Sequence, residues 1–186
     1  MGEQIFKDSI EYIQLKIEDI LSKVSEKDIM TIKKLFLRKK RVFLYGAGRS
    51  GLVAKAFAIR LVHLGFQTFV IGETITAPVQ KGDLVIIVSG SGETIPAVMT
   101  AEIAHNLGAF VVSITGKKDS DIAKFAYITL YIKSSCNELE RKKYAPLGTL
   151  FEASVWILLD GITADLLDQK NETEEDMRSR HATLEQ

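Results

Sequence analysis

The chain has 186 residues, 46% of them apolar, enough for one globular domain with a full core and few for two. Its 24 basic and 24 acidic residues cancel, so no net positive field steers it toward nucleic acid. Cys136 is the single cysteine, which excludes an intrachain disulfide and a cysteine-built zinc cluster. No apolar run approaches about 18 residues, so no transmembrane helix is expected. Met1 to Leu15 lacks the apolar core of a signal peptide, and the expected location is cytoplasmic.

Ile10, Ile13, Ile17, Ile20, Leu21 and Val24 recur at helical spacing and predict an amphipathic helix over 5–24. A second helix is predicted over about 27–37, with Ile29, Ile32, Leu35 and Phe36 inward. The period then changes. Arg41 to Tyr45 reads as a strand, Gly46-Ala47-Gly48-Arg49-Ser50-Gly51 as a turn, and Leu52 to Leu64 as a helix closed by Gly65. Further strands are predicted over 68–71, 84–88, 110–114 and 127–132. Helices fit over 96–107 and about 119–125. The stretch 73–82, with Pro78 and Gly82, reads as loop, and the charged segment Asn137 to Lys143 as a surface loop. Gly148 to Leu167 is a long helix with almost no polar face, which places it in the core or in a subunit interface. Asn171 to Gln186 is strongly polar and reads as an exposed helix or arm.

Strands alternating with helices predict a single α/β domain over 1–186, with helices in 1–38 ahead of the sheet and the arm 171–186 behind it. The expected architecture is a three-layer αβα sandwich on a five-stranded parallel sheet of flavodoxin-like order 2-1-3-4-5. In that order the loops after the first and third strands are neighbours at the carboxyl edge, where open sheets bind ligands.

The third strand runs into Ser89-Gly90-Ser91-Gly92-Glu93-Thr94, just ahead of a helix. Helix N-termini attract phosphate through unpaired N–H groups and partial positive charge, and Ser89, Ser91 and Thr94 add hydroxyl donors. The loop has no lysine and the chain no G-x-x-x-x-G-K-[ST] motif, so a phosphate monoester suits it better than a magnesium–nucleotide complex. A serine-capped glycine turn with no ligand is the competing reading. The 46–51 run matches G-x-G-x-x-G, with Glu73 after the second strand, so a dinucleotide site is a rival. Against it, the chain has no second domain for a reducible substrate, and the 89–94 loop adds an anion site that a dinucleotide fold does not need.

The paired loops resemble the sugar isomerase (SIS) domain, which binds phosphosugars. Arg60-Leu61-Val62-His63-Leu64-Gly65-Phe66, Pro146-Leu147-Gly148-Thr149-Leu150-Phe151-Glu152 and Arg180-His181-Ala182-Thr183-Leu184 narrow the likeness to the 6-phospho-3-hexuloisomerase family, over about residues 30 to 185. The resemblance implies interconversion of 3-hexulose 6-phosphate and fructose 6-phosphate through an enediol, with no cofactor and no metal. It implies sugar-phosphate binding by Ser50, Ser89, Gly90, Ser91, Gly92, Glu93 and Thr94, with Gly48, Arg49 and His63 as possible neighbours. Glu152 matches the family's base; on position alone it could equally be a capping carboxylate in a first helical turn. His181 is the implied second catalytic group, acting from a neighbouring subunit; on position alone it could be an idle histidine near a chain end. Lys143 and Tyr144 are further candidates for the pocket wall. The resemblance also implies a homotetramer with shared sites, serving formaldehyde fixation in the ribulose monophosphate pathway or pentose synthesis. Alternatives are a phosphosugar-sensing module without catalysis and an isomerase of another sugar phosphate.

Overall fold

The computed structural model of the protein describes residues 2–39 and 41–182. Thr183 and Leu184, part of the family-like tail segment, lie outside the described residues, as does the rest of the predicted arm after Ala182. Two helices come first, α1 (Gly2–Leu21) and α2 (Glu26–Arg38). Ser25 starts the second: its hydroxyl accepts from the Asp28 N–H at 3.2 Å, and Glu26 and Asp28 sit at the positive end of the helix dipole.

Five strands follow: β1 (Arg41–Gly46), β2 (Gln67–Val70), β3 (Leu84–Ser89), β4 (Phe110–Thr115) and β5 (Ile128–Tyr131). All pairings are parallel and the order is β2-β1-β3-β4-β5, as expected from the sequence. The crossovers are α3 (Gly48–His63), α4 (Ile95–Asn106) and a 3-10 turn (Ile122–Phe125). The helices α5 (Glu138–Tyr144), α6 (Thr149–Gln169) and α7 (Glu174–Ser179) close the described chain.

Successive side chains of each strand enter different cores, because a strand points alternately to its two faces. Val42, Leu44, Leu84, Ile86, Val112 and Ile114 join α1, α2, α3 and α6 in the larger core. Phe43, Val85, Ile87 and Val111 join α4 and Ile122 in the smaller. The crossover after β1 therefore covers one face and the crossover after β3 the other. Gly46 is in register with Val88, so the loops after β1 and β3 leave the carboxyl edge side by side.

Three expectations need correction. The segment 137–143 is helical, not a loop. Asn137 caps α5 by accepting from the N–H groups of Leu139 and Glu140 at 2.9 and 3.2 Å. Glu138 and Glu140 lie in its first turn, Arg141, Lys142 and Lys143 in its last, and Glu138 pairs with Lys142 at 2.8 Å, so charge order favours a helix that buries nothing. The helix after β1 begins at Gly48, not Leu52, so Arg49 and Ser50 stand in its first turn. The helix α6 is not buried all round: Leu150, Val155, Leu159, Ile162 and Leu166 face inward while Trp156 and Ile157 are exposed. Among the described residues, no helix is long and apolar enough to cross a membrane.

Candidate active site

The loop after β3 gathers its hydroxyls. Ser89, buried at the end of the strand, accepts from the Gly92 N–H at 3.1 Å, and its hydroxyl lies 3.5 Å from that of Thr94. The Ser91 hydroxyl lies 3.4 Å from the same Thr94 oxygen and accepts from the Glu93 N–H at 3.2 Å. Gly92 makes the bend at φ +65°, where any Cβ would stand 2.3 Å from that of Ser120. Thr94 is the N-cap of α4 but spends no side-chain hydrogen bond on the cap. The hydroxyl cluster thus stands at a helix N-terminus, a setting suited to a phosphate group. The Glu93 carboxylate ion-pairs with Lys117, which leaves the backbone as this residue's contribution to the loop.

Glu152 lies in the first turn of α6, its side chain only 12% exposed. It lines a cavity of about 320 Å³ with Ser50, Gly90, Ser91, Gly148 and Arg141. A Cβ on Gly148 would come within 3.1 Å of the carboxylate, so glycine keeps that approach open. Arg49, 66% exposed, ion-pairs with Glu152 through its Nε. The first turn of α3 therefore supplies both Ser50 to the cavity and a cation to its carboxylate. A larger cavity, about 660 Å³, lies at the β5 edge beside Lys23, Lys118 and Tyr131 and contains none of these residues. Among the described residues no cluster of His, Cys, Asp and Glu is arranged to hold a metal ion.

The two histidines are elsewhere. His63 ends α3 and is buried, with the His181 ring stacked on it at 4.7 Å between centroids and 27° between planes. Ser50 and His63 mark opposite ends of α3, about 20 Å apart at roughly 1.5 Å rise per residue. One chain thus brings together Glu152, Arg49, Ser50 and the hydroxyl loop, but not His181 or His63. A clasp holds the tail at that far end. Arg180 donates to the His63 carbonyl at 2.8 Å and pairs with Glu172 at 2.6 Å; Lys170 pairs with Glu172 at 2.6 Å and donates to the Leu64 carbonyl. These cations meet the negative end of α3.

Other candidates move off the site. Tyr144 packs on Tyr12, with centroids 5.5 Å apart, and Lys143 donates to its hydroxyl at 2.8 Å. The wall residue from that segment is Arg141, which donates to the Leu147 carbonyl at 3.2 Å and was hidden when 137–143 read as a loop. Asn137 followed by Glu138 and Lys142 was the available signal. Glu73, the acid of the dinucleotide pattern, pairs with Lys55 at 2.5 Å.

A parallel sheet of order β2-β1-β3-β4-β5 with a hydroxyl loop at the β1/β3 switch point defines an open α/β fold with a ligand crevice at its carboxyl edge, and the chain belongs to the SIS domain family, whose model matches residues 35–159. Among its relatives, the 3-hexulose-6-phosphate isomerase of Bacillus subtilis is 40% identical over 80% of this chain and 82% of its own. The enzyme of the same name from Methylomonas aminofaciens is 37% identical over 94% and 97%. A hypothetical protein from Methanococcus jannaschii, whose crystal structure infers a function of 3-hexulose-6-phosphate isomerase, superposes with a TM-score of 0.86 at 30% identity, over 95% of this chain and 99% of that one.

Proposed function

We propose that this protein is a 3-hexulose-6-phosphate isomerase in which Glu152 is the base and the 89–94 loop is the phosphate anchor. The observation that carries the reading is the shared cavity: a carboxylate in a first helical turn opens into the same 320 Å³ as Ser50, Gly90 and Ser91. The Ser89, Ser91 and Thr94 hydroxyls, with Ser50 and the backbone of Gly90, Gly92 and Glu93, hold the phosphate. Binding at that remote end positions the reacting carbons.

The Glu152 carboxylate takes the proton from C2. The C–H electron pair becomes the C2–C3 double bond and the C3 carbonyl pair moves to O3, giving an enediolate. O3 gains a proton, O2 loses one, the C2 carbonyl forms and Glu152 returns its proton to C3. No electron leaves the substrate, so the sequence of steps balances without a redox partner. Arg49 and Arg141 offer guanidinium N–H groups for the developing oxyanion. His181 of a second copy exchanges the oxygen protons, a task suited to an imidazole near neutral pH. A homo-oligomer supplies that copy; exposed Leu52, Trp156 and Ile157 lie on the groove that also includes Glu152. The reading extends to a tetramer in the cytoplasm, working in formaldehyde fixation or pentose synthesis.

The test is a coupled assay. Ribulose 5-phosphate and formaldehyde are condensed by a synthase to 3-hexulose 6-phosphate, and fructose 6-phosphate is then measured. Wild-type protein should form it, and Glu152→Gln should bind sugar phosphate without turning it over. Near-normal turnover by Glu152→Gln removes Glu152 as the base, and absence of product with wild type refutes the substrate.

A further inference from the structure

The tail beyond α6 is polar and short, yet its one histidine is held more firmly than an idle chain end requires. The His181 ring lies on His63 at 4.7 Å between centroids and 27° between planes, close to parallel stacking. His63 is buried and is the last residue of α3, so the platform is part of the scaffold. The residue before His181 is anchored twice: Arg180 donates to the His63 carbonyl at 2.8 Å and pairs with Glu172 at 2.6 Å. Glu172 also takes Lys170, which reaches the Leu64 carbonyl. Thus the backbone on one side of His181 and the face of its ring are both tied to the end of α3. Gly65 belongs to the same fitting: a Cβ there would come 3.4 Å from the Arg180 guanidinium.

We propose that His63 is a positioning residue for the isomerisation, fixing the plane of the His181 imidazole. It acts through His181: its ring is buried beneath that imidazole and about 20 Å along α3 from Ser50 in the cavity of its own chain. The proposal rests on the reading that His181 takes part in turnover. A rigid support matters because a proton donor displaced by about 1 Å can lose on the order of a hundredfold in rate. Stacking fixes the plane of the imidazole, and with Nδ1 buried the proton exchange falls to Nε2. The charged groups facing this pair are Arg180, Lys170 and Glu172, with the carbonyl end of α3 beneath.

The test compares His63→Leu, His63→Phe, Arg180→Gln and His181→Ala for kcat, KM, melting temperature and the pH dependence of kcat. His63→Leu removes the flat platform and should lower kcat by about tenfold to a hundredfold with KM within about twofold. His63→Phe keeps a flat ring and should restore most of that kcat. Arg180→Gln leaves the core intact and should lower kcat in the same direction, which covers the case in which His63→Leu fails to fold. In each impaired variant the pH profile of kcat should change shape. If His181→Ala is inactive while folded His63→Leu and Arg180→Gln keep wild-type kcat and pH profile, the positioning role is wrong and the role of His181 stands. If His181→Ala is fully active, the reading of His181 fails and the proposal with it.

Discussion

Replacing Gly92 by alanine tests the phosphate loop at its tightest point. Gly92 has φ +65°, a left-handed conformation that costs an L-residue about 1–2 kcal/mol. The added methyl would stand 2.3 Å from Ser120 Cβ, 2.4 Å from its Oγ and 2.8 Å from Thr115 Oγ1, all too close to persist. Forcing extra volume into such a site costs about 1–3 kcal/mol. The total is about 2–5 kcal/mol, and at roughly 2–4 °C per kcal/mol the melting temperature should fall by about 4–20 °C. The strain falls in the loop proposed to hold the phosphate. The Gly92 N–H donates to the Ser89 hydroxyl, and the Ile122 N–H donates to the Gly92 carbonyl at 3.0 Å. Moving Gly92 therefore displaces the hydroxyl cluster, and KM for the sugar phosphate should rise even in protein that remains folded. Ser120→Gly in the same chain removes the two nearest atoms and should recover about 1–2 kcal/mol, leaving the backbone cost, in a double-mutant cycle. Thermal melts and initial rates measure both effects. An unchanged melting temperature and KM for Gly92→Ala would refute the steric account.

Ser89→Ala and Thr94→Ala should each raise KM about tenfold to a hundredfold, since a hydrogen bond to a charged group contributes about 1.5–3 kcal/mol; an unchanged KM moves the phosphate elsewhere. Burial pushes the Glu172 carboxyl up, but hydrogen bonds from Lys170 and Arg180 outweigh it and leave it below its ordinary value of 4.5. Because the folded value is the lower one, this stabilisation is complete above the unfolded value and is lost as pH falls through the folded value. Glu172→Gln should therefore flatten the loss of melting temperature between pH 6 and pH 3, and equal slopes for both proteins would contradict the assignment. Mixing inactive Glu152→Gln with inactive His181→Ala should restore activity after subunit exchange, and no recovery after confirmed exchange places the whole site in one chain.

The sheet was legible because burial on both faces writes itself as continuous apolar runs such as Leu84 to Val88. The turn that carries the hydroxyl loop was legible from its glycines and serines between an apolar strand and a helix, while a ligand-free cap stayed the competing reading of the same residues. Helix α5 was not, since nothing in it is buried and charge order alone supports it. The ion pair of Arg49 with Glu152 was equally hidden: more than a hundred positions separate them, and only the packing of α3 against α6 joins them. The stack of His63 on His181 depends on a tail folding back over the end of α3, a contact with no periodicity to betray it.

The helix α3 relates these parts. Its first turn carries Arg49 and Ser50 to the cavity, and its last residue carries His63 and the clasped tail. About 20 Å of rigid helix lies between, well beyond the reach of any side chain. The clasp argues against the tail swinging across, because release would break the Arg180 and Lys170 bonds to the helix end and strip Glu172 of two cations. On the proposed chemistry, then, each chain holds the phosphate anchor and base of one reaction and presents the proton donor for another. On the same proposal, assembly completes the site by bringing a fixed imidazole to a fixed carboxylate, and the stacking platform matters because the donor must arrive in one orientation.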